Sequence, residues 1–253
     1  FFSSRRRHTR LLTVTGVQTC ALPILEREGR RNSQTEETWI ELARIGREVA
    51  SDFQVIVIRA SGESFSSGLD KDVFLGNANP NFQQLLMKPD SELENSISEF
   101  QEAFTWLRKS SAISIAQVQG HAIGAGFQLA LACDLRFASE KALFSMKEVQ
   151  LGLVPDLTGT LRLLELTNFS NALDICVTGR NVTAEEMLRM GLINCLTSSE
   201  NLEEKVNLYV ESVLKLPPSA VSSIKQLLGQ SHTDQLAAER EHQARLLRSL
   251  VPR

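Results

Sequence analysis

The chain has 253 residues, of which 42% are apolar and 23% charged, with a formal net charge of −3. This composition is ordinary for a protein with a packed core and does not indicate a disordered chain. No apolar run reaches the roughly 18 residues that a membrane-spanning helix needs. The four cysteines include no Cys-x-x-Cys pair, so we expect neither a zinc site nor a disulfide framework, and a reducing, cytoplasmic setting.

The first 24 residues differ in composition from the rest, because they carry four arginines and no acidic residue. Such a segment is typical of an organellar transit peptide or a nucleic-acid-binding arm. However, residues 14–24 resemble the translation of a sequencing adapter. We therefore expect residues 1–24 to be a non-native, disordered arm. The remainder is acidic overall, so no nucleic-acid surface is expected.

The pattern from residue 25 onward predicts alternating helices and strands. A helix over residues 35–49, with Ser33 or Thr35 as its cap, precedes a β-branched strand at 55–59 of the kind that helices cover on both faces. A long polar segment, 70–94, leads into a helix that ends near Lys109. Within it, Phe74, Phe82 and Leu85 are candidates to line an apolar pocket. A strand at 113–118 and a helix at 125–133 follow.

The second half predicts short strands at 135–138 and 142–145, and helices near 160–166, 171–176 and 183–190. A last short strand is predicted at 192–194. From residue 201 the chain is predicted to be all helical, with Ser219 capping one helix and another at 233–250. No linker rich in glycine or proline divides the chain. We therefore predict an α/β core over 25–200 and a helical region over 201–253.

Two glycine-containing loops and one glutamate form the main candidate site. Residues 64–70 and 119–126 can both present free backbone N–H groups, and small residues there let a ligand oxygen approach closely. Two such loops that converge on one oxygen would make an oxyanion hole. Glu148 supplies the proton carrier that an enolate-forming enzyme also needs.

Together these segments resemble the crotonase, or enoyl-CoA hydratase/isomerase, superfamily. The resemblance covers nearly all of residues 26–250, and it includes Arg31-Asn32-Ser33, Cys133-Asp134-Leu135-Arg136, residues 152–156 and residues 191–194. It implies a right-handed spiral of ββα units with a helical C-terminal region that packs trimers, often paired into hexamers. Members of the superfamily open with two or three strands before the Arg-Asn segment. This sequence shows none there, so we expect those strands to be missing.

The resemblance also implies roles for individual residues. It places the oxyanion hole on the backbone N–H groups of Leu69 and Ala125. Hydratases of this superfamily hold water between two glutamates, at the positions of Gln128 and Glu148. Because Gln128 cannot accept a proton, a single base remains, which favours double-bond migration over hydration. The further residues implied to contact substrate are Ser67, Gly68, Asp70, Phe74, Gly124 and Pro155.

Asp156 lies where dienoyl-CoA isomerases of the superfamily carry an aspartate, although they also have an aspartate at the position of Gln128. It is therefore either a second active-site acid or the cap of the following helical turn. The implied substrate is an acyl-CoA thioester, with no metal and no cofactor beyond the CoA of the substrate. A true hydratase and a non-catalytic acyl-CoA-binding module remain as alternatives.

Other residues have simpler interpretations. The glycines of residues 120–126 do not follow the order of a dinucleotide-binding loop. His121 is expected to form local hydrogen bonds rather than to act in catalysis. Lys225 and Arg180 are candidates to bind the phosphates of CoA, although solvated basic residues are common.

Overall fold

The computed structural model describes residues 20–49, 53–74, 84 and 87–229. The strands, in chain order, are β1 (Cys20–Ala21), β2 (Ile24–Leu25), β3 (Val55–Ala60), β4 (Ile113–Val118), β5 (His121–Ile123), β6 (Leu135–Ser139), β7 (Leu143–Ser145), β8 (Val182–Thr183) and β9 (Cys195–Thr197). The helices are α1 (Glu36–Val49), α2 (Lys71–Phe74), α3 (Asp90–Lys109), α4 (Ala125–Ala132), α5 (Gly159–Leu166), α6 (Phe169–Thr178), α7 (Ala184–Arg189), α8 (Leu202–Leu214) and α9 (Pro218–Gly229). Two 3₁₀ turns span Glu28–Arg30 and Lys147–Leu151.

The main sheet is parallel and has the order β1-β3-β4-β6-β9, with β2 also paired to β3. A smaller sheet has the order β5-β7-β8, in which β5 and β7 run parallel and β7 and β8 antiparallel. The predicted α/β class with a helical C-terminal region is confirmed.

Strand β3 is buried on both faces, as its β-branched sequence predicts. Val55 and Val57 belong to a cluster with buried valines of α8, whereas Ile56 and Ile58 belong to the larger core with α1, α3 and α4. Successive side chains of a strand point to opposite faces, so each face of β3 packs against a different helical layer. No helix in the described part of the chain is long and apolar enough to cross a membrane.

Two predictions about the N-terminal segment are wrong for residues 20–25. Strands β1 and β2 precede the Arg31-Asn32 segment, although no strand was expected there and residues 1–24 were expected to be disordered. Cys20 pairs with Val55 and Ile24 with Arg59, both in parallel register. Each strand has only two residues, which is too short for an alternating pattern to be seen in the sequence. Residues 1–19 lie outside the described residues.

Two boundaries in the second half also differ from prediction. The last strand lies at Cys195–Thr197, where it pairs with β6, instead of at 192–194. Residues 192–194 bind Arg136 in another way: its buried guanidinium donates to the carbonyl of Leu192 (2.6 Å), and its backbone N–H donates to the side chain of Asn194. Helix α9 begins at Pro218, so Ser219 lies inside the helix instead of capping it. The helix predicted at 233–250 lies outside the described residues.

The ammonium group of Lys225 anchors α9 to the core and is not free to bind a phosphate. Its Nζ donates to the carbonyl oxygens of Leu107 (2.7 Å) and Ala112 (2.6 Å) and to the Asp134 carboxylate (2.7 Å). The same Asp134 oxygen accepts from the N–H and hydroxyl of Ser114. Burial lowers the pKa of Lys225, against the attraction of Asp134. The expected role of Lys225 in CoA binding is therefore wrong.

Replacement of Lys225 by methionine is expected to lower the free energy of unfolding by about 3 kcal/mol, because it leaves the Asp134 carboxylate and two carbonyls without their partner. Denaturant unfolding followed by circular dichroism measures this change. Lys205→Met, on the exposed face of α8, is the matched control and should change the free energy by less than about 0.5 kcal/mol. Equal effects of the two substitutions would contradict this account.

Candidate active site

A cavity of about 650 Å³ opens between the loop after β3, the start of α4 and the 3₁₀ turn after β7. Eight residues that the sequence predicted for the site line it: Ser67, Gly68, Leu69, Gly124, Ala125, Gln128, Glu148 and Asp156. These eight lining residues thus come from separate segments of the chain between residues 67 and 156. This arrangement follows from the parallel strands, whose carboxyl ends lie at the same edge of a sheet.

Three further predicted residues are not part of the described cavity wall. The buried carboxylate of Asp70 accepts from Arg27 Nη1 (2.6 Å), Ser33 Oγ (3.1 Å) and the N–H of Asp72 (3.0 Å). Asp70 therefore holds the loop next to Leu69, and the expectation that it contacts substrate is wrong. Pro155 is buried away from the cavity. The side chain of Phe74, together with Phe82 and Leu85, lies outside the described residues.

Short backbone hydrogen bonds join the two loops. The N–H of Ser66 donates to the carbonyl of His121 (2.8 Å), and the N–H of Ile123 donates to the carbonyl of Ser66 (3.0 Å). Gly68 has φ +83°, and a Cβ at this position would lie 2.5 Å from the carbonyl oxygen of Ile123. Only glycine fits both the backbone angle and this approach. The loop is therefore pressed against the start of α4.

The N–H groups of Leu69 and Ala125 are both free to bind a ligand oxygen. The backbone N–H of Gln34 donates to the carbonyl of Gly68 (2.7 Å), and its carbonyl accepts from the N–H of Asp70 (2.8 Å). The N–H of Leu69, which lies between these two bonded groups, therefore points to the opposite side of the strand. Ala125 is the first residue of α4, where an N–H has no intrahelical partner. Neither N–H has an acceptor within the described residues. The pair can stabilise negative charge on an oxygen between them.

The carboxylate of Glu148 lies on the cavity with one oxygen bound and the other unbound. Oε1 accepts a hydrogen bond from Gln128 Nε2 (2.7 Å). Oε2 is buried and has no hydrogen-bond partner among the described residues. Burial raises the pKa of Glu148, whereas hydrogen bonding from its own backbone and from Gln128 opposes the increase, and the charge of Asp156 adds to it. A carboxyl group with a raised pKa is suited to both accepting and returning a proton.

Gln128 is held in one orientation by backbone donors. Its Oε1 accepts from the N–H groups of Leu157 (2.9 Å) and Gly159 (3.0 Å) at the start of α5. Both acceptor sites of the amide oxygen are therefore occupied, and its Nε2 faces Glu148. The 2.7 Å contact leaves no room for a water between the two side chains.

Comparisons with known proteins identify the family. The profile of the enoyl-CoA hydratase/isomerase family matches residues 18–252. The chain belongs to this family. A Thermobifida fusca YX protein solved in complex with CoA is 39% identical, with a TM-score of 0.87 over 95% of this chain and 94% of that one. The same protein was also solved in complex with acetoacetyl-CoA.

Curated relatives within the enoyl-CoA hydratase/isomerase family carry out different reactions. The peroxisomal Delta(3,5)-Delta(2,4)-dienoyl-CoA isomerase of Arabidopsis thaliana is 28% identical over 81% of this chain and 75% of its own length. The carnitinyl-CoA dehydratase of Salmonella typhi is 38% identical over 45% of this chain and 43% of its own length. Family membership thus shows a crotonase-superfamily enzyme and leaves the choice between isomerase and hydratase to the site.

Asp156 is placed as an acid of the cavity and not as a helix cap. The N–H groups at the start of α5 bind Gln128 instead, and the backbone carbonyl of Asp156 accepts from Gln101 Nε2 (2.6 Å). Surrounding protein atoms desolvate the Asp156 carboxyl and raise its pKa. Asp156 thus lines the cavity and does not cap α5, and its role as a second active-site acid stays a prediction.

Other candidate residues have structural roles in this member of the family. His121 is exposed, and its Nδ1 lies 3.1 Å from Ser64 Oγ. Arg180 forms ion pairs with Asp174 (2.8 Å) and Glu186 (3.0 Å). Sequence reasoning missed Trp39, which also lines the cavity. Its apolar helical spacing is typical of a core residue, so the sequence carried no signal of this position.

Proposed function

We propose that the chain moves a double bond within an enoyl-CoA thioester. In this proposal the N–H groups of Leu69 and Ala125 bind the thioester oxygen, and Glu148 moves the proton. The observation that carries the proposal is the carboxyl group of Glu148, a residue that lines the same cavity as Leu69 and Ala125 with their two free N–H groups. The CoA and acetoacetyl-CoA complexes of the Thermobifida fusca relative support a CoA thioester as the ligand.

The proposed reaction is balanced in atoms and electrons. The Glu148 carboxylate removes a proton from the carbon between the carbonyl and the double bond of a 3-enoyl thioester. The electron pair moves onto the carbonyl oxygen, where the two N–H groups stabilise the dienolate. Protonated Glu148 then returns the proton to the far carbon of the former double bond, which leaves a 2-enoyl thioester. No oxidant, metal or water is consumed.

The position of Gln128 favours migration over hydration. Hydration needs a group that holds and deprotonates a water opposite the double bond. The oxygen of Gln128 is already used by Leu157 and Gly159, and its Nε2 directly contacts Glu148. The residue therefore cannot position a water by accepting its hydrogen bond.

A second candidate, supported by Asp156, is migration across a conjugated diene. Asp156 lies on the same cavity as Glu148, and burial raises the pKa values of both acids. Two acids with raised pKa values can each accept and release a proton, and they can therefore act on two different carbons of a longer unsaturated chain. The similarity to the Arabidopsis thaliana dienoyl-CoA isomerase agrees with this candidate.

Separate incubations with 3-enoyl-CoA, 2-enoyl-CoA and 3,5-dienoyl-CoA test these proposals. Products are separated by chromatography and weighed by mass spectrometry. We expect the 3-enoyl or the dienoyl substrate to change its retention time without a change of mass. A product from 2-enoyl-CoA that is one water heavier would instead establish a hydratase. Bound but unchanged thioesters in all three reactions would establish a non-catalytic acyl-CoA-binding module.

A further inference from the structure

Gln128 connects three separate segments at the centre of the candidate site. Its side chain extends from α4, and its Oε1 accepts from the N–H groups of Leu157, which precedes α5, and of Gly159, the first residue of α5. Through Nε2 it binds Glu148 in the 3₁₀ turn after β7. Because the two backbone donors fix which end of the amide is the oxygen, the donor that faces Glu148 is fixed as well.

The start of α5 is shaped to admit this amide. A Cβ at Gly159 would lie 2.7 Å from Oε1 and 2.8 Å from Cγ of Gln128. Gly159 is helical, and its φ is not positive, so the backbone conformation does not require glycine here. Glycine is required because the side chain of Gln128 occupies the space that a Cβ would take. Gly159 is not part of the cavity wall, so a change there acts on the site through Gln128.

We infer that Gln128 is a positioning residue, which holds the Glu148 carboxylate in one orientation beside Gly124 through the hydrogen bond to Oε1. The inference rests on the proposed role of Glu148. Oε1 is engaged by Gln128 Nε2 and lies 3.1 Å from the position that a Cβ on Gly124 would occupy. Oε2 is buried without a partner. The hydrogen bond from Gln128 therefore fixes the Glu148 carboxylate beside Gly124 of the cavity wall and favours its charged form.

Three other titratable groups lie near Glu148. Asp156 precedes α5, and its charge raises the pKa of Glu148. Cys176 lies on α6, and its own pKa is raised by burial and by the charge of Glu148. Lys147 is the neighbouring residue, and its Nζ donates to the carbonyl of Gly179 (2.6 Å). Gln128 is the side chain that donates a hydrogen bond to the Glu148 carboxylate within the described residues.

The test uses Gln128→Met, which removes the amide, and Gly159→Ala, which displaces the amide by a change at a residue outside the cavity wall. Gly29→Ala is the matched control, because a Cβ there has no heavy atom within 4 Å. Infrared difference spectra recorded across pH give the titration of Glu148, assigned by the band that is lost in Glu148→Gln. The pH dependence of kcat/KM for 3-enoyl-CoA is measured on the same proteins.

Loss of the donor is expected to move the Glu148 titration upward by about one pH unit in Gln128→Met and by about half a unit in Gly159→Ala. The acid limb of kcat/KM should move with it, while KM changes little. An unchanged titration in folded Gly159→Ala, or a shift of equal size in Gly29→Ala, would overturn the inference. The infrared titration requires no turnover. A shifted titration without conversion of any enoyl-CoA would uphold the positioning role and reject the proposed reaction.

Discussion

Replacement of Glu148 by glutamine is expected to reduce turnover of the enoyl-CoA substrate between about 10²- and 10⁴-fold, because the amide cannot carry the proton. The shape of the side chain and its contact with Gln128 are retained. CoA contacts are remote from the reacting carbons, so thioester affinity should persist. Steady-state kinetics and isothermal titration with the substrate measure the two effects. Loss of affinity in proportion to turnover would contradict a catalytic role for Glu148.

The same substitution is expected to preserve or raise stability at neutral pH. Burial raises the pKa of Glu148 in the folded state, so the fold disfavours the charged form. The contribution of Glu148 to stability is therefore complete below its unfolded pKa of about 4.3 and declines as pH rises through the folded value. Thermal unfolding at pH 4 and pH 8 should show Glu148→Gln gaining on the wild type only at the higher pH. A lower midpoint at pH 8 would argue against this.

Replacement of Ala125 by proline is expected to lower kcat/KM by about 10²- to 10³-fold, the usual cost of one oxyanion-hole donor. Ala125 is the first residue of α4, a position where helices accept proline because its missing N–H has no intrahelical partner. The substitution thus removes the proposed donor and retains the helix.

The matched control is Ala125→Gly, which keeps the N–H and should stay within about threefold of the wild type, since only a methyl group is lost. Steady-state kinetics give kcat/KM for both variants, and circular dichroism spectra show whether both proteins remain helical. If proline and glycine at this position reduced kcat/KM equally while both proteins remained helical, the N–H of Ala125 would have no role in the reaction.

Local features of the sequence predicted much of the fold. Strand β4 has the bounds that its pattern gave, and the strand β3 was found to within one residue. Both have continuous β-branched or apolar runs, which depend little on distant contacts. Strands β1 and β2 were missed because two residues are too few to show an alternating apolar pattern. Both strands are defined by their pairing with β3.

The candidate site was predicted in part. The loops around Leu69 and Ala125 and the Glu148 turn were predicted from their resemblance to the crotonase superfamily, which rests on glycines and motifs in the local sequence. In contrast, the three hydrogen bonds of Gln128 join residues 20, 29 and 31 positions apart. Neither its orientation nor the burial of Lys225 against Asp134 can be seen in a local pattern, because both arise from packing between separate elements.

Deuterium incorporation is the most direct test of the claim that Glu148 moves a proton beside a thioester carbonyl held by Leu69 and Ala125. 3-Enoyl-CoA is incubated in D₂O with the wild type and with Glu148→Gln, and recovered thioesters are weighed. We expect the wild type alone to yield a 2-enoyl product without added oxygen, with deuterium on carbon that enters when protonated Glu148 exchanges with D₂O before it returns the proton. Equal incorporation by both proteins, or a product that contains a molecule of D₂O, would contradict this expectation.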